Sequence, residues 1–354
     1  MTSTRMCSKK GAGRCFRLSW ALYFIFGFAC GWLMWSSPPA QLETVEETVL
    51  SDHFSSDVDG RGKDPSERAF LFVAVLSSQG NEALRYAARR TWLKLGHKSD
   101  KPVVHRFFVG SLGVSGDRRA ALEQEAALNR DLVLLEHVPD SGRTYKVLQA
   151  FVWVVANFWS RYVLKLNDDS FARLDAIVSE LMLKEKASKT REDPPLYWGF
   201  FAGHAPVART GPWAEPAWYL SDRYLPYACG GGYVLSWAPV QYLHYSWERL
   251  QLYANDDVSV GVWLAPWHLN STHDRRFDTE NESRGCFNSY LVTHKQTKSM
   301  MEDKYQSLEQ DGVLCREEVQ FRMSYVYDRE ARPSQCCIRN ISDISLPRQS
   351  DRGL

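Results

Sequence analysis

Two adjacent carboxylates, Asp168 and Asp169, close the mostly apolar, β-prone run that opens YVLKLNDDSF at residues 162–171. In an open α/β sheet, ligands bind beyond the carboxyl ends of the strands, so acids delivered there face a crevice rather than a core. Asp169 is placed to hold a divalent cation through oxygen, and such a cation can neutralise a pyrophosphate leaving group. Asp and Asn also favour turns and helix caps, so the pair by itself fits a surface turn as well. Arg85 and Arg89, four residues apart on one helical face, can reach one diphosphate or nucleoside together, although solvated surface arginines show the same spacing. Lys165 either flanks that anion or pairs with Asp168. Asp256 and Asp257 precede a helical stretch running through Val262, where Asp is a good cap. His294 follows the apolar run YLVT; alone, it fits a structural hydrogen-bonder as well as a ligand.

The elements that deliver these groups follow from periodicity. FLFVAVLSS reads as a strand, residues 82–93 as a helix, VVHRFFVG as a strand, 118–127 as a helix, DLVLLEHV as a strand, and 145–159 as a helix leading into YVLKL. Continuous apolar strands separated by helices imply a parallel sheet covered on both faces. From residue 197 to 267 the texture turns aromatic and Gly-rich, with Trp198, Trp213, Trp218, Trp237, Trp247, Trp263 and Trp267. Amphipathic aromatic faces suit pyranose rings, yet most Trp is core, so one or two of these are expected to face a ligand. The GGG at 230–232 lacks the strand-Gly-helix context and the Lys of a phosphate cradle.

Composition sets the outer limits. With 354 residues, 44% of them hydrophobic, 24% charged and a net charge of +1, the chain has material for one large globular core. The absence of long Lys/Arg runs in that part argues against nucleic acid. Residues 18–35 carry no charge and nearly span a hydrocarbon core of about 30 Å as a helix. Arg5, Lys9, Lys10, Arg14 and Arg17 precede this stretch and Glu43, Glu46, Glu47, Asp52 and Asp57 follow it, which keeps the N-terminus cytosolic and the remainder lumenal. A cleaved signal peptide competes with the anchor, but its apolar core is usually shorter. The expected organisation is a cytosolic tail at 1–17, a transmembrane signal-anchor at 18–35, a flexible stem at 36–67 carrying Pro38 and Pro39, a folded lumenal domain at 68–340 and a tail at 341–354. Of the lumenal cysteines Cys229, Cys286, Cys315, Cys336 and Cys337, four can form two disulfides, with Cys229 the odd one; zinc binding lacks a CxxC-type pair. Sequons at Asn270, Asn281 and Asn340 agree with the secretory pathway.

In order along the chain stand Arg85-x-x-x-Arg89-x-Thr91-Trp92, Phe107-x-x-Gly110, Lys165-x-Asn167-Asp168-Asp169, Tyr224-x-Pro226-Tyr227-x-x-Gly230-Gly231-Gly232-Tyr233, Asp256-Asp257-Val258-x-x-Gly261, Arg284-Gly285-Cys286 and His294-Lys295. This set resembles the β1,3-glycosyltransferases of glycosyltransferase family 31 over about residues 70–337. YWGFF, YLPYACGGGYVLS, VGVWLAP, RFDTE, YLVTHKQ, MSYVYD and SQCC carry the resemblance further. It implies a GT-A type α/β fold, a Rossmann-like mixed sheet flanked by helices. It also implies a UDP-galactose donor, Mn²⁺, residence in the Golgi membrane, and transfer to the galactosyl-β1,4-xylosyl primer on serine of proteoglycan core proteins.

On that resemblance Asp257 matches the Asp of the family's Glu-Asp-Val motif and is the expected base. A β-linked product from an α-linked donor requires inversion, for which one in-line displacement is the simplest route. Asp169 matches the last carboxylate of the family's Asp-x-Asp element and His294 its late His, together the expected Mn²⁺ ligands. Arg85, Arg89, Lys165, Asn167 and Asp168 are the expected donor-binding residues. The chain departs from the pattern at Asn167, where the family usually has Asp and where an amide brings no charge, and at Asp256, where Glu is usual. A sibling specificity such as N-acetylglucosamine transfer, and a catalytically silent membrane-anchored binding relative, are the competing readings; a silent copy is expected to have lost Asp169, Asp257 or His294, and all three stand.

Overall fold

The computed structural model describes residues 68–187, 194–332 and 335–340. The expected tails, anchor and stem lie outside the described residues, save that the 68–340 domain is described apart from two short gaps. Among the described residues no helix is long and apolar enough to cross a membrane.

A seven-stranded sheet in the order β3-β2-β1-β4-β7-β6-β8 forms the centre. Its strands are β1 (Arg68–Ser77), β2 (Val103–Leu112), β3 (Leu132–Pro139), β4 (Trp159–Asn167), β6 (Leu196–Ala202), β7 (Tyr227–Ser236) and β8 (Asn270–His273). The expected parallel arrangement holds for β1 to β4. Beyond β4 the sheet turns mixed: β7 is antiparallel to β4 and to β6, and β6 is parallel to β8.

The alternation of a strand explains why β1 is apolar throughout. Leu71, Val73 and Val75 enter the core on one face, while Phe72, Ala74 and Leu76 enter the core on the other. Helices α1 (Glu82–Arg90) and α4 (Leu174–Ala187) contribute to the first core. To the second belong α3 (Arg143–Asn157), α5 (Trp237–Ser246) and α6 (Asp256–Leu264). Helix α2 (Gly116–Asn129) adds Leu122 to the first core. The helix expected over 82–93 stops at Arg90 and continues as a 3₁₀ turn, Trp92–Lys98, that buries Trp92, Leu93 and Leu95. Each fully buried Leu, Val or Phe is worth about 1.5–3 kcal/mol, so two cores sharing one sheet hold the strand ends rigidly.

A small sheet, β5-β11-β9, completes what the cleft needs: β5 (Phe171–Ala172), β11 (Val292–Thr293) and β9 (Phe277–Asp278). The remaining elements are β10 (Gly285–Cys286), paired with β12 (Val319–Gln320), and α7 (Lys298–Asp311). Cys286 bonds Cys315 across a Cα–Cα distance of 5.9 Å, and Cys336 bonds its neighbour Cys337. Among the described residues Cys229 is the free, buried thiol, the odd one expected.

Candidate active site

β1 and β4 end side by side, with Leu76 in register with Asn167. Asp168 N donates to Leu76 O at 3.0 Å, so the chain leaving β4 is steered with Asn167, Asp168 and Asp169 into a cleft of about 610 Å³. Asp256, Asp257, Glu280, His294 and Trp213 line the same cleft.

His294 reaches Asp169 through strand pairing. Thr293 of β11 pairs with Phe171 of β5, and Gln296 N donates to Asp169 O at 2.8 Å. His294 Nδ1 lies 3.2 Å from the Glu280 carbonyl oxygen; a carbonyl only accepts, so Nδ1 carries the proton. In the neutral ring the single Nε2 lone pair accepts from Asn167 Nδ2 at 3.2 Å, and Asp169 Oδ1 stands 3.0 Å from the same nitrogen. Two acceptors at that separation call for a positive charge between them, a proton or a metal ion. Adjacent ligands on octahedral bonds of ~2.1 Å stand about 3 Å apart, and one carboxylate oxygen with one imidazole nitrogen suits Mn²⁺. Among the described residues no three His, Cys, Asp or Glu side chains converge on one point, so an ion here would complete its shell from a ligand in the cleft. Burial works against charge on Asp169, but when the position between Asp169 and His294 holds a proton, the His294 imidazolium together with Lys295 outweighs it and holds the carboxyl below the ordinary range.

Across the cleft, Asp256 and Asp257 occupy the first turn of α6, where the helix dipole favours anions. The residue at the cap position is Asn255, so the two acids do not cap the helix, as their spacing also allowed, but stand inside its first turn. Asp257 Oδ2 accepts from Gly230 N at 3.0 Å and Oδ1 from Val258 N at 2.9 Å. Desolvation, then the neighbouring Asp256 charge, push the Asp257 carboxyl up to about 6. Asp256 moves the other way: burial opposes its charge, but the Lys165 ammonium holds it below the usual range. Adjacent carboxyls driven apart in this way are how a site separates a structural anion from a titrating base.

Three of the expected donor-binding residues are placed otherwise. Lys165 is fully buried beneath the cleft and flanks no anion in it, nor does it pair with Asp168; its Nζ donates to Asp256 Oδ2 at 2.9 Å, Gly230 O at 2.7 Å and Asn167 Oδ1 at 3.0 Å. One Lys165 charge is thus matched to one carboxylate, which an Asp at position 167 would double. Arg85 and Arg89 do share a helical face, but the face meets α2 and β3 rather than the cleft. Arg85 forms a bidentate pair with Glu125 at 2.9 and 2.6 Å, and Arg89 one with Asp131 at 2.8 Å for both bonds. Arg85 Nη1 also donates to Ser77 Oγ at 3.0 Å and Ser78 O at 2.7 Å, so it props the turn that lines the cleft. Asp168 lines the cleft, yet its Oδ2 is taken by Ser77 Oγ at 2.7 Å and Asn81 Nδ2 at 2.9 Å, and burial raises its carboxyl.

Sequence reasoning missed several residues. A Cβ at Gly231 would stand 2.6 Å from His294 Cγ, and one at Gly230 would stand 3.2 Å from Asp257 Oδ2, so the glycine run is there for close approach of β7 to both functional groups. Glu280 supplies the carbonyl that orients His294, while Arg284, Arg322 and Arg339 hold its side chain. Of the seven tryptophans from 198 to 267, Trp213 is the one that lines this cleft.

The sequence pattern described as Galactosyltransferase matches residues 83–275. A mouse β-1,3-galactosyltransferase 6 is 49% identical over 278 residues, 78% of this chain and 84% of that protein. An Arabidopsis thaliana hydroxyproline O-galactosyltransferase is 29% identical over 247 residues, and a Xenopus laevis UDP-GalNAc:β-1,3-N-acetylgalactosaminyltransferase 2 is 31% identical over 198; this chain spans 34% and 39% of those longer proteins. Among solved structures, a Pyrobaculum calidifontis mannosyltransferase in complex with GDP-Man and Mn²⁺ overlaps 64% of each chain at 13% identity and a TM-score of 0.34, too loose a likeness to argue from. The identity shared with the mouse enzyme over most of both chains, together with the matched pattern, bears out the resemblance read from the motifs: this chain belongs to the galactosyltransferase family.

Proposed function

We propose that this chain is an inverting β1,3-galactosyltransferase that moves galactose from UDP-galactose to the 3-hydroxyl of the galactose in a galactosyl-β1,4-xylosyl-serine primer of proteoglycan core proteins. The observation that carries the reading is one cleft with a lone-pair nitrogen and a carboxylate oxygen 3.0 Å apart on one wall and a carboxyl raised to about 6 on the other. The 49% identity to the mouse β-1,3-galactosyltransferase 6 supports the donor and linkage.

In this reading Asp257, oriented by the Gly230 and Val258 amides, takes the proton of the acceptor 3-hydroxyl as its oxygen attacks the anomeric carbon. Asp169 and His294 would hold Mn²⁺, which when bound neutralises the charge that develops on the departing diphosphate. The Glu280 carbonyl keeps the imidazole turned for that task, and the Nε2 lone pair that otherwise accepts from Asn167 would go to the ion. The mixed sheet is read as GT-A. Residues 18–35 are read as the signal-anchor of a single-pass type II protein of the Golgi membrane, its catalytic domain lumenal.

The direct test is transfer by the purified chain with UDP-galactose, Mn²⁺ and a galactosyl-β1,4-xyloside, the product linkage read by NMR. A β1,3-linked galactose that disappears with chelator is expected. Absence of product from folded protein would overturn the assignment.

A further inference from the structure

The cleft carries an aromatic surface that neither the motifs nor the proposed chemistry uses. Trp213 lies in the loop at residues 203–226, between β6 and β7, and lines the cleft with 42% of its surface exposed. The Arg143 guanidinium, at the start of α3, covers the indole ring 4.5 Å from its centroid.

This loop is anchored to the helix that bears the base. Trp213 O accepts from Asn255 Nδ2 at 3.1 Å, and Asn255 immediately precedes Asp256 and Asp257. Glu215, almost completely buried, takes the Ala254 amide at 2.7 Å and the Asn255 amide at 3.2 Å on a single carboxylate oxygen. Behind it, Trp218, Tyr224, Tyr253 and Val258 form a separate apolar cluster, with the Trp218 and Tyr224 rings edge to face at 5.0 Å. Val258 belongs to α6, so the loop and the helix share that cluster. An exposed indole is therefore held at fixed distance from Asp257 by hydrogen bonds and by packing.

We infer that Trp213 is the platform on which the acceptor sugar stacks, setting its hydroxyl toward Asp257. The reading rests on Asp257 being the base proposed above. A pyranose presents an apolar C–H face that gains from covering an aromatic ring, while its hydroxyls stay free for polar partners. Glu215 is then a positioning residue that keeps the platform and the base in register.

The experiment compares the full chain with Trp213→Ala and Trp213→Phe, measuring KM for a galactosyl-β1,4-xyloside and for UDP-galactose. Trp213→Ala is expected to raise acceptor KM about tenfold, the size of a lost stacking contact, with donor KM within about twofold. Trp213→Phe, which keeps an aromatic face, recovers most of the loss and guards against a folding artefact. Unchanged acceptor KM, or an equal rise in donor KM, overturns the platform while leaving the transferase reading in place. If wild type transfers nothing, that reading fails, and the platform is judged by saturation-transfer NMR with the same xyloside and with lactose. A wild-type signal that Trp213→Ala loses supports the platform; no signal, or one that Trp213→Ala keeps, overturns it.

Discussion

The wall of the cleft that carries Asp169 and His294 is held by short strand ladders and oriented lone pairs, whereas the wall that carries Asp257 and Trp213 is held by a helix start, a buried carboxylate and a cluster of aromatic rings. On the first wall β5, β11 and β9 contribute two residues each, yet their backbone pairing brings residues more than a hundred positions apart to hydrogen-bond distance. On the second, side-chain packing does this work. The difference assigns tasks: a wall built to place negative and lone-pair atoms is suited to a charged donor, and one with an open indole to a neutral sugar. Lys165 lies beneath both, bonded to Asn167 on one side and Asp256 on the other.

If the walls have separate tasks, substitutions on each must fail in separate ways. The largest effect belongs to Asp257→Asn, which removes the proposed base and is expected to lower kcat about a thousandfold while leaving UDP affinity within a few fold. Isothermal titration with UDP and Mn²⁺ beside the transfer assay separates the two quantities; surviving transfer would put the base elsewhere. Lys165→Met breaks a buried pair, leaving Asp256 and the Gly230 carbonyl without their donor, and is expected to cost about 3 kcal/mol in urea unfolding. A loss under about 1 kcal/mol would show that the two walls do not depend on this shared lysine. Asp169→Ala is the mirror of the first substitution: Mn²⁺-dependent UDP affinity is expected to fall on the order of a hundredfold, and unchanged binding would remove Asp169 from the ligand set.

The same contrast explains what was legible in the sequence. β1 and β4 were readable because strands covered on both faces must be largely apolar, and their order delivered Asp168 and Asp169 to a strand end as expected. Asp257 and His294 carried no such signal; a helix-start acid and a His after a strand fit structural roles equally, and the motif match singled them out. Arg85 and Arg89 show the limit of spacing. Four residues put both on one face, but only the fold says that the face looks toward Glu125 and Asp131. Trp213 was hidden among Trp198, Trp218 and Trp263, whose burial depends on contacts that sequence periodicity does not record. Glu280 acts on His294 through its backbone carbonyl, so no residue-type pattern could announce it.

The gentlest way to probe the comparison is acid. A base works deprotonated, and because desolvation and Asp256 raise Asp257 to about 6, transfer under saturating UDP-galactose and Mn²⁺ is expected to halve near that pH and to fall tenfold per unit below it. Asp256→Asn deletes the neighbouring charge but leaves the desolvation, so the acid limb should move to lower pH without vanishing. UDP affinity is assigned to the opposite wall and should not follow this shift. Recording kcat and Mn²⁺-dependent UDP affinity against pH for wild type and Asp256→Asn isolates the two walls: a kcat limb that stays fixed while UDP affinity moves would mean that the acid limb reports the donor-side wall instead of Asp257.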